Sequence, residues 1–136
     1  SVWGASRVGY HIAPRGDAHT IGDSDPVALF TYLASELGKR KIAFICAREY
    51  QAEDSIGDKI KAAFGGAYIA NEKFTQESAE GLIAEGGATA VAFGSQYISN
   101  PDLLARFQQG LPLADVNWDT VYSATAVGYT DYPAAT

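Results

Sequence analysis

Short apolar runs alternate along the chain with stretches of about ten residues whose apolar positions recur at helical spacing, and polar or glycine-containing loops separate them. This is the pattern of parallel βα units. Residues 8–12 form the first predicted strand, closed by Pro14 and the turn residues Arg15, Gly16 and Asp17. Asp25 then reads as an N-cap ahead of Pro26, a proline in the first helical position where its missing N–H costs nothing. The helix is predicted over 26–38, with Leu29, Tyr32, Leu33 and Leu37 on its buried face, Gly38 ending it and Lys39, Arg40 and Lys41 at the negative end of its dipole. Residues 42–47 are apolar throughout, as in a parallel strand covered on both faces, and Cys46 within them reads as a core thiol. Ile56, Ile60, Ala63 and Phe64 mark a short helix stopped by Gly65 and Gly66. Residues 67–70 are the third strand. Thr75 caps a helix carrying Ala79, Leu82 and Ile83 that ends at Gly86 and Gly87, and residues 90–93 are the fourth strand. The last helix begins at Asn100, Pro101 and Asp102 and buries Leu103, Leu104 and Phe107.

Four strands starting near residues 8, 42, 67 and 90, each followed by helical sequence, make a right-handed run of βα units in an α/β fold. A closed barrel of such units needs eight strands and about 250 residues, and an open doubly wound sheet usually has five or six. With 136 residues, the chain is predicted to be one domain, 1–136, built as half a barrel or as a small open sheet.

Charge and composition narrow the functions. Ten Lys and Arg stand against 16 Asp and Glu, a net charge of −6, and no segment gathers the cations into a stripe, so neither nucleic acid nor an anionic membrane is an expected partner. The apolar runs fall far short of the roughly 18 residues a membrane span needs. Residues 1–7 show no charged leader followed by an apolar core, and a cytoplasmic location is the default expectation. One cysteine, Cys46, and two histidines, His11 and His19, give no zinc-site spacing, so no metal is expected.

In either architecture ligands bind at the C-terminal ends of the strands. That places His11 and Pro14, Arg48 and Glu49, Asn71 and Lys73, and Gly94, Ser95 and Gln96 at the candidate positions. In eight-stranded barrels a phosphate often sits between the loops after the last two strands, here 70–73 and 94–97. The alternative is that Asn71 and Gly94 only shape turns. His11 on a strand fits a structural hydrogen-bonding role as readily as a ligand role, and no Ser or Cys elbow accompanies it. Glycine-rich nucleotide loops are absent. Glu49, Glu53 and Asp54 read as a solvated acidic face.

From residue 89 onward longer motifs stand out: Ala92-Phe93-Gly94-Ser95-Gln96-Tyr97-Ile98-Ser99-Asn100-Pro101-Asp102-Leu103-Leu104, Gly110-Leu111-Pro112-Leu113, Asp119-Thr120-Val121-Tyr122 and Gly128-Tyr129-Thr130-Asp131-Tyr132-Pro133. Upstream are Arg7-Val8-Gly9-Tyr10-His11-Ile12-Ala13-Pro14 and Tyr68-Ile69-Ala70-Asn71-Glu72-Lys73-Phe74-Thr75. Together they resemble the C-terminal end of the Old Yellow Enzyme family, flavin-dependent NAD(P)H oxidoreductases of which many are ene-reductases. The resemblance implies half of a (β/α)8 TIM barrel, strands five to eight, with flavin mononucleotide (FMN) as the family cofactor. It also implies NAD(P)H and an activated alkene as the small-molecule partners of a complete barrel.

The family likeness assigns a cofactor cradle of His11, Ala70, Asn71, Gly94, Ser95 and Tyr122. His11 stands where the family's fifth-strand arginine approaches the flavin, and Ser95 where its phosphate-gripping arginine stands. Ala70 replaces a family glycine, while Asn71, Gly94 and Tyr122 match. The family's carbonyl-binding His/Asn pair and proton-donating tyrosine belong to the other half of the barrel, so no catalytic residue is assigned here. Two lost charge-assisted anchors weaken flavin binding by roughly 3–6 kcal/mol. A half-barrel exposes a sheet face, with Val8, Phe44, Ala67 and Val91 expected on it. A second copy of the chain, or a chain carrying the N-terminal half, is the expected cover. The competing reading is a non-catalytic half-barrel that assembles with itself and binds a phosphate-bearing ligand weakly.

Overall fold

The computed structural model describes residues 2–15 and 22–135; Gly16 and Asp17 of the expected first turn, and His19, lie outside the described residues. The chain divides into two compact units, Ser1–Ala92 and Phe93–Thr136.

The first unit is β1 (Gly9–Ile12), α1 (Pro26–Lys39), β2 (Phe44–Arg48), α2 (Gly57–Phe64), β3 (Ala67–Asn71), α3 (Gln76–Ala84) and β4 (Ala90–Ala92). The strands form one sheet in the order β1-β2-β3-β4, and every pair is parallel. All four expected strands are present, as are the three helices that connect them.

Local chemistry explains the helix ends. The Asp25 carboxylate accepts from the Ala28 amide at 3.0 Å with Pro26 next in sequence, as the cap-plus-proline pattern requires. Thr75 and Ser78 exchange side-chain-to-backbone hydrogen bonds at 3.2 and 2.9 Å, a reciprocal capping box. Gly65 closes α2 at φ 68°, its amide donating to the Lys61 carbonyl.

Helix α1 departs from expectation in two respects. It runs past Gly38 to Lys39, and its buried residue is Ala34, while Leu29 and Tyr32 are 43% and 70% exposed. Ala34 and Gly38 lie four apart, hence on one face. A Cβ at Gly38 would collide with the Phe64 carbonyl of α2. The glycine is therefore a point of close helix approach, and two small residues set the packing face that the larger apolar ones suggested elsewhere.

Successive strand residues point to opposite faces of a sheet. Ile12, Ile45, Ala47, Tyr68 and Ala70 are buried on the face covered by helices. Opposite them lie Gly9, His11, Phe44, Cys46, Arg48, Ala67, Ile69, Asn71, Ala90 and Ala92, all exposed or half-buried. The second strand is thus covered on one face among the described residues, and Cys46 is half-buried on the open side rather than in the core. Phe44 and Ala67 sit on the open face as expected. Val91 does not: it pairs with buried Ala70, so alternation turns it toward the helices, while Val8, 41% exposed, lies just before β1.

The second unit contains α4 (Ser95–Ser99) and α5 (Leu103–Gln109). The sequence predicts a single helix from Asn100; the structure places α4 before it and starts α5 at Leu103. Asn100 does not act as a cap. It is fully buried, its Oδ1 accepts from the Ala114 amide at 2.7 Å, and its Nδ2 donates to the carbonyls of Gln96 and Ala114 at 3.0 and 3.2 Å. A buried carboxamide is held by satisfying its own polar atoms, and this one is spent on the 114 backbone. Asp102 instead binds Arg106 Nε at 2.7 Å and the Ala135 amide at 2.8 Å. Buried Arg106 donates onward to the carbonyls of Pro112 and Pro133. Leu103 is buried as expected, Leu104 is 59% exposed, and Phe107 meets Phe93 edge-to-face at 5.4 Å. No helix among the described residues is long and apolar enough to cross a membrane.

Candidate functional site

The C-terminal ends of the strands carry the polar side chains of the first unit. His11 is exposed on the open face and in register with Cys46. Asn71, on the same face, ends β3 in register with Arg48 and Ala92. Its Nδ2 donates to the Ala92 carbonyl at 2.8 Å and its own carbonyl accepts from the Glu49 amide at 3.0 Å, so its position is fixed from both neighbouring strands. Ala70 is 1% exposed on the opposite, helix-covered face, and only its backbone is available toward the open side.

Beyond Asn71 the chain turns through two left-handed residues that are not glycine, Glu72 at φ 97° and Lys73 at φ 58°. Such conformations cost about 1–3 kcal/mol for residues with a Cβ and concentrate where a loop has work beyond connection. Glu72 pairs with Arg48 at 3.1 Å. Lys73 Nζ stands 4.5 Å from the centroid of the Tyr50 ring, and the Arg15 guanidinium 4.7 Å from that same centroid. Arg15 also pairs with Asp54 at 2.6 Å. Sequence reasoning placed Lys73 at the site but passed over Arg15 and Tyr50; their positions just beyond neighbouring strand ends were the available signal.

Glu49 corrects the solvated acidic face. Asp54 and Glu53 are exposed, but Glu49 is 1% exposed. Its Oε1 accepts from the Ile56 amide at 2.9 Å at the start of α2, and its Oε2 has no hydrogen-bond partner among the described residues. Burial pushes its carboxyl above the usual range, against the lowering pull of the Ile56 and Gly57 amides and of Arg15. The cause of the misreading is alternation: Glu49 continues Ile45 and Ala47 onto the helix-covered face.

In the second unit Gly94 precedes α4, and its carbonyl accepts from the amides of Tyr97 and Ile98. Ser95 opens α4 and lines a cavity of about 440 Å³ with Gln96, Leu113, Asp115 and Trp118. Tyr122 is 71% exposed and lines a different cavity, about 450 Å³, with Val121, Thr125 and Tyr129. Among the described residues no cluster of His, Cys, Asp or Glu could hold a metal ion.

No family-level sequence profile matches the chain. Individual relatives do. It is 34% identical over 141 residues to 12-oxophytodienoate reductase 2 of Arabidopsis thaliana, covering 96% of this chain and 37% of that protein. A probable flavin mononucleotide-dependent alkene reductase of Leishmania infantum is 35% identical, with 96% and 36% covered. Among solved structures, the old yellow enzyme from Trypanosoma cruzi superposes with a TM-score of 0.90 at 34% identity, over 97% of this chain and 36% of that one. The chain belongs to the Old Yellow Enzyme family. Morphinone reductase in complex with tetrahydroNAD agrees, with a TM-score of 0.88 at 33% identity over 99% of this chain and 38% of its own. The chain spans little more than a third of the length of these relatives. Within the Old Yellow Enzyme family it corresponds to the C-terminal portion, and its four parallel strands are half of the (β/α)8 barrel.

Proposed function

We propose that this chain is the flavin-side half-barrel of an FMN-dependent NAD(P)H oxidoreductase of the ene-reductase kind, and that it is catalytically complete only with the rest of the barrel. The observation that carries this reading is the match over at least 96% of the chain to relatives that include a probable flavin mononucleotide-dependent alkene reductase. When bound, FMN supplies two-electron chemistry between a nicotinamide and an activated alkene.

The residues present fit part of that cofactor. Asn71 at the end of β3, the backbone around Ala70, and the Gly94 and Ser95 backbone are the polar groups assigned to the phosphate side. By the family likeness His11, exposed in the first unit, is assigned to the flavin ring, and Tyr122, exposed in the second, to the flavin edge. Two features favour a second reading, a non-catalytic half-barrel that binds a phosphate-bearing ligand weakly: His11 and Ser95 stand at the family's arginine positions. Losing both charge-assisted bonds costs roughly 3–6 kcal/mol, enough to move a nanomolar site to submicromolar or tens of micromolar.

The open face of the sheet calls for a cover. Either a second copy closing a two-fold barrel or a chain bearing the N-terminal half supplies one. Size-exclusion chromatography with in-line mass and absorbance detection, run with added FMN, tests both points. A yellow assembly larger than one chain supports the enzyme reading. A colourless assembly that takes up no FMN refutes it and leaves the scaffold reading, and a monomer that stays soluble refutes the need for a cover.

A further inference from the structure

Three side chains from three successive strand ends meet at the C-terminal rim of the first unit. Arg15 lies three residues beyond β1, Tyr50 two beyond β2 and Lys73 two beyond β3. Both cations stand within 5 Å of the same ring centroid, at 4.7 Å and 4.5 Å. A ring quadrupole attracts each cation, yet two cations held on one ring also repel each other, and the ring offsets only part of that.

The surrounding carboxylates do not complete the balance. Asp54, the partner of Arg15, has a side chain that is 75% exposed, which weakens the pair. Glu72 is taken by Arg48, and Lys73 has no ion pair among the described residues. Glu49, the remaining nearby acid, is buried with its carboxyl held toward the neutral form. A donor is also left over: Arg15 Nη1 is buried with no acceptor among the described residues. Finally, the loop presenting Lys73 holds two consecutive left-handed residues that lack the freedom of glycine.

An unused guanidinium donor, an unpaired ammonium and a strained loop that brings it close have one complement in common. We propose that Arg15 and Lys73, sharing Tyr50 as a platform, form a binding site for an oxyanion, a phosphate or carboxylate group on the molecule held at this rim. A planar fork and a point charge suit such a group, accepting one bond from Nη1 and one from Nζ. The proposal rests on the flavin reading only for which molecule carries the group; the site itself follows from the side chains.

The test is a titration of the whole chain with inorganic phosphate and, separately, with acetate, followed by amide shifts in two-dimensional NMR at residues 15, 50, 72 and 73. Lys73→Gln and Arg15→Gln are measured alongside. FMN and riboflavin, which differ by the phosphate, are titrated in parallel. The expected result is saturable shifts at those four residues, weakened about tenfold by either substitution, and an FMN preference over riboflavin that both variants lose. A response to phosphate alone assigns the site to a phosphate, and a response to acetate as well extends it to carboxylates; both support the proposal. No response to either anion, or an unchanged response in the variants, overturns it. Phosphate binding without any flavin binding supports this site and removes the flavin reading. FMN binding that ignores both substitutions keeps the flavin reading and overturns this site. Far-UV circular dichroism checks folding, and should Arg15→Gln fail to fold, Lys73→Gln at an exposed position decides alone.

Discussion

Glu49 gives the fold a pH dependence whose sign is fixed by its surroundings. The carboxyl is 1% exposed, Oε1 accepts from the amide at the start of α2, and Oε2 has no hydrogen-bond partner among the described residues. Burial raises its affinity for a proton in the folded chain above the reference value of 4.5. The unfolded chain therefore releases this proton first as pH rises. From about 4.5 up to the higher folded value the folded state holds more protons than the unfolded one, so stability falls with rising pH across that window and stays reduced above it. Each tenfold gain in proton affinity corresponds to about 1.4 kcal/mol lost on the alkaline side. Glu49→Gln keeps an oxygen for the Ile56 amide and removes the charge. An unsatisfied buried polar atom costs about 1–3 kcal/mol, more when charged, so the variant is expected to gain about 1–2 kcal/mol over the native chain at pH 8 and little at pH 4. Urea unfolding of both proteins at several pH values, read by tryptophan fluorescence and circular dichroism, measures the difference. Parallel pH profiles for the two, or a native chain that gains on the alkaline side, would refute the reasoning.

Gly38→Ala adds a methyl against the Phe64 carbonyl, a backbone atom that cannot swing away. Overpacking of this kind costs about 1–3 kcal/mol and outweighs the alanine's helix preference, so a lower melting temperature is expected; an unchanged or higher one shows that α1 and α2 shift apart freely. Lys41, at φ 55° just past α1, donates to the Gly38 carbonyl as a left-handed helix terminator. Lys41→Gly is expected to stabilise by about 1 kcal/mol, and a loss in denaturant midpoint contradicts that assignment. Asn100→Ala strands the Ala114 amide, while the Ala114 carbonyl keeps the Ser99 hydroxyl at 3.0 Å, at a cost of roughly 1–3 kcal/mol, with faster hydrogen exchange at Ala114 as the local readout. Asp102 titrates in the opposite sense to Glu49: its bond to Arg106, then the Ala135 amide, hold its carboxyl below the usual value. Its contribution is present above the unfolded value of 3.8 and fades as pH falls through the folded one, so Asp102→Asn should flatten the acid limb of the unfolding profile.

The strand order and the connecting helices were legible because each depends on local signals: a period of two in the strands, caps at Asp25 and Thr75, and a glycine at Gly65. What escaped were features set by contacts across the fold. The buried face of α1 is decided by where the α2 backbone comes nearest, and small residues mark that place without raising local hydrophobicity. The start of α5 moved because Asn100 spends its amide on residue 114, fourteen positions away. Glu49, by contrast, was legible and misread: its parity with Ile45 and Ala47 outranked the charge of its neighbours Glu53 and Asp54. At the candidate site, position at the strand ends picked out Asn71 and Lys73, but the meeting of Arg15, Tyr50 and Lys73 depends on strand register, which no single stretch of sequence encodes.

Register also arranges the open face of the sheet into rows, and their composition changes along the strands. Gly9, Phe44 and Ala67 form the first row, with the Phe44 ring lying where a Cβ of Gly9 would be. His11, Cys46, Ile69 and Ala90 form the second, and Arg48, Asn71 and Ala92 the third. Small beside large in the first row is how barrel interiors interdigitate, and it leaves apolar surface that requires side chains from other strands. The polar groups collect in the last row, at the C-terminal end, and the Arg15, Tyr50 and Lys73 cluster lies just beyond it. Because all four strands run in one direction, every loop that leaves a strand end leaves on that side, and ligand chemistry accumulates there while packing chemistry accumulates below. A substitution in the first row should therefore disturb assembly, and one in the last row or beyond it should disturb ligand binding. Phe44→Ala and Lys73→Gln, compared by size-exclusion chromatography and by FMN titration, separate the two: the first is expected to alter assembly and the second to spare it, and a reversed outcome would contradict the division of the sheet into a packing end and a binding end.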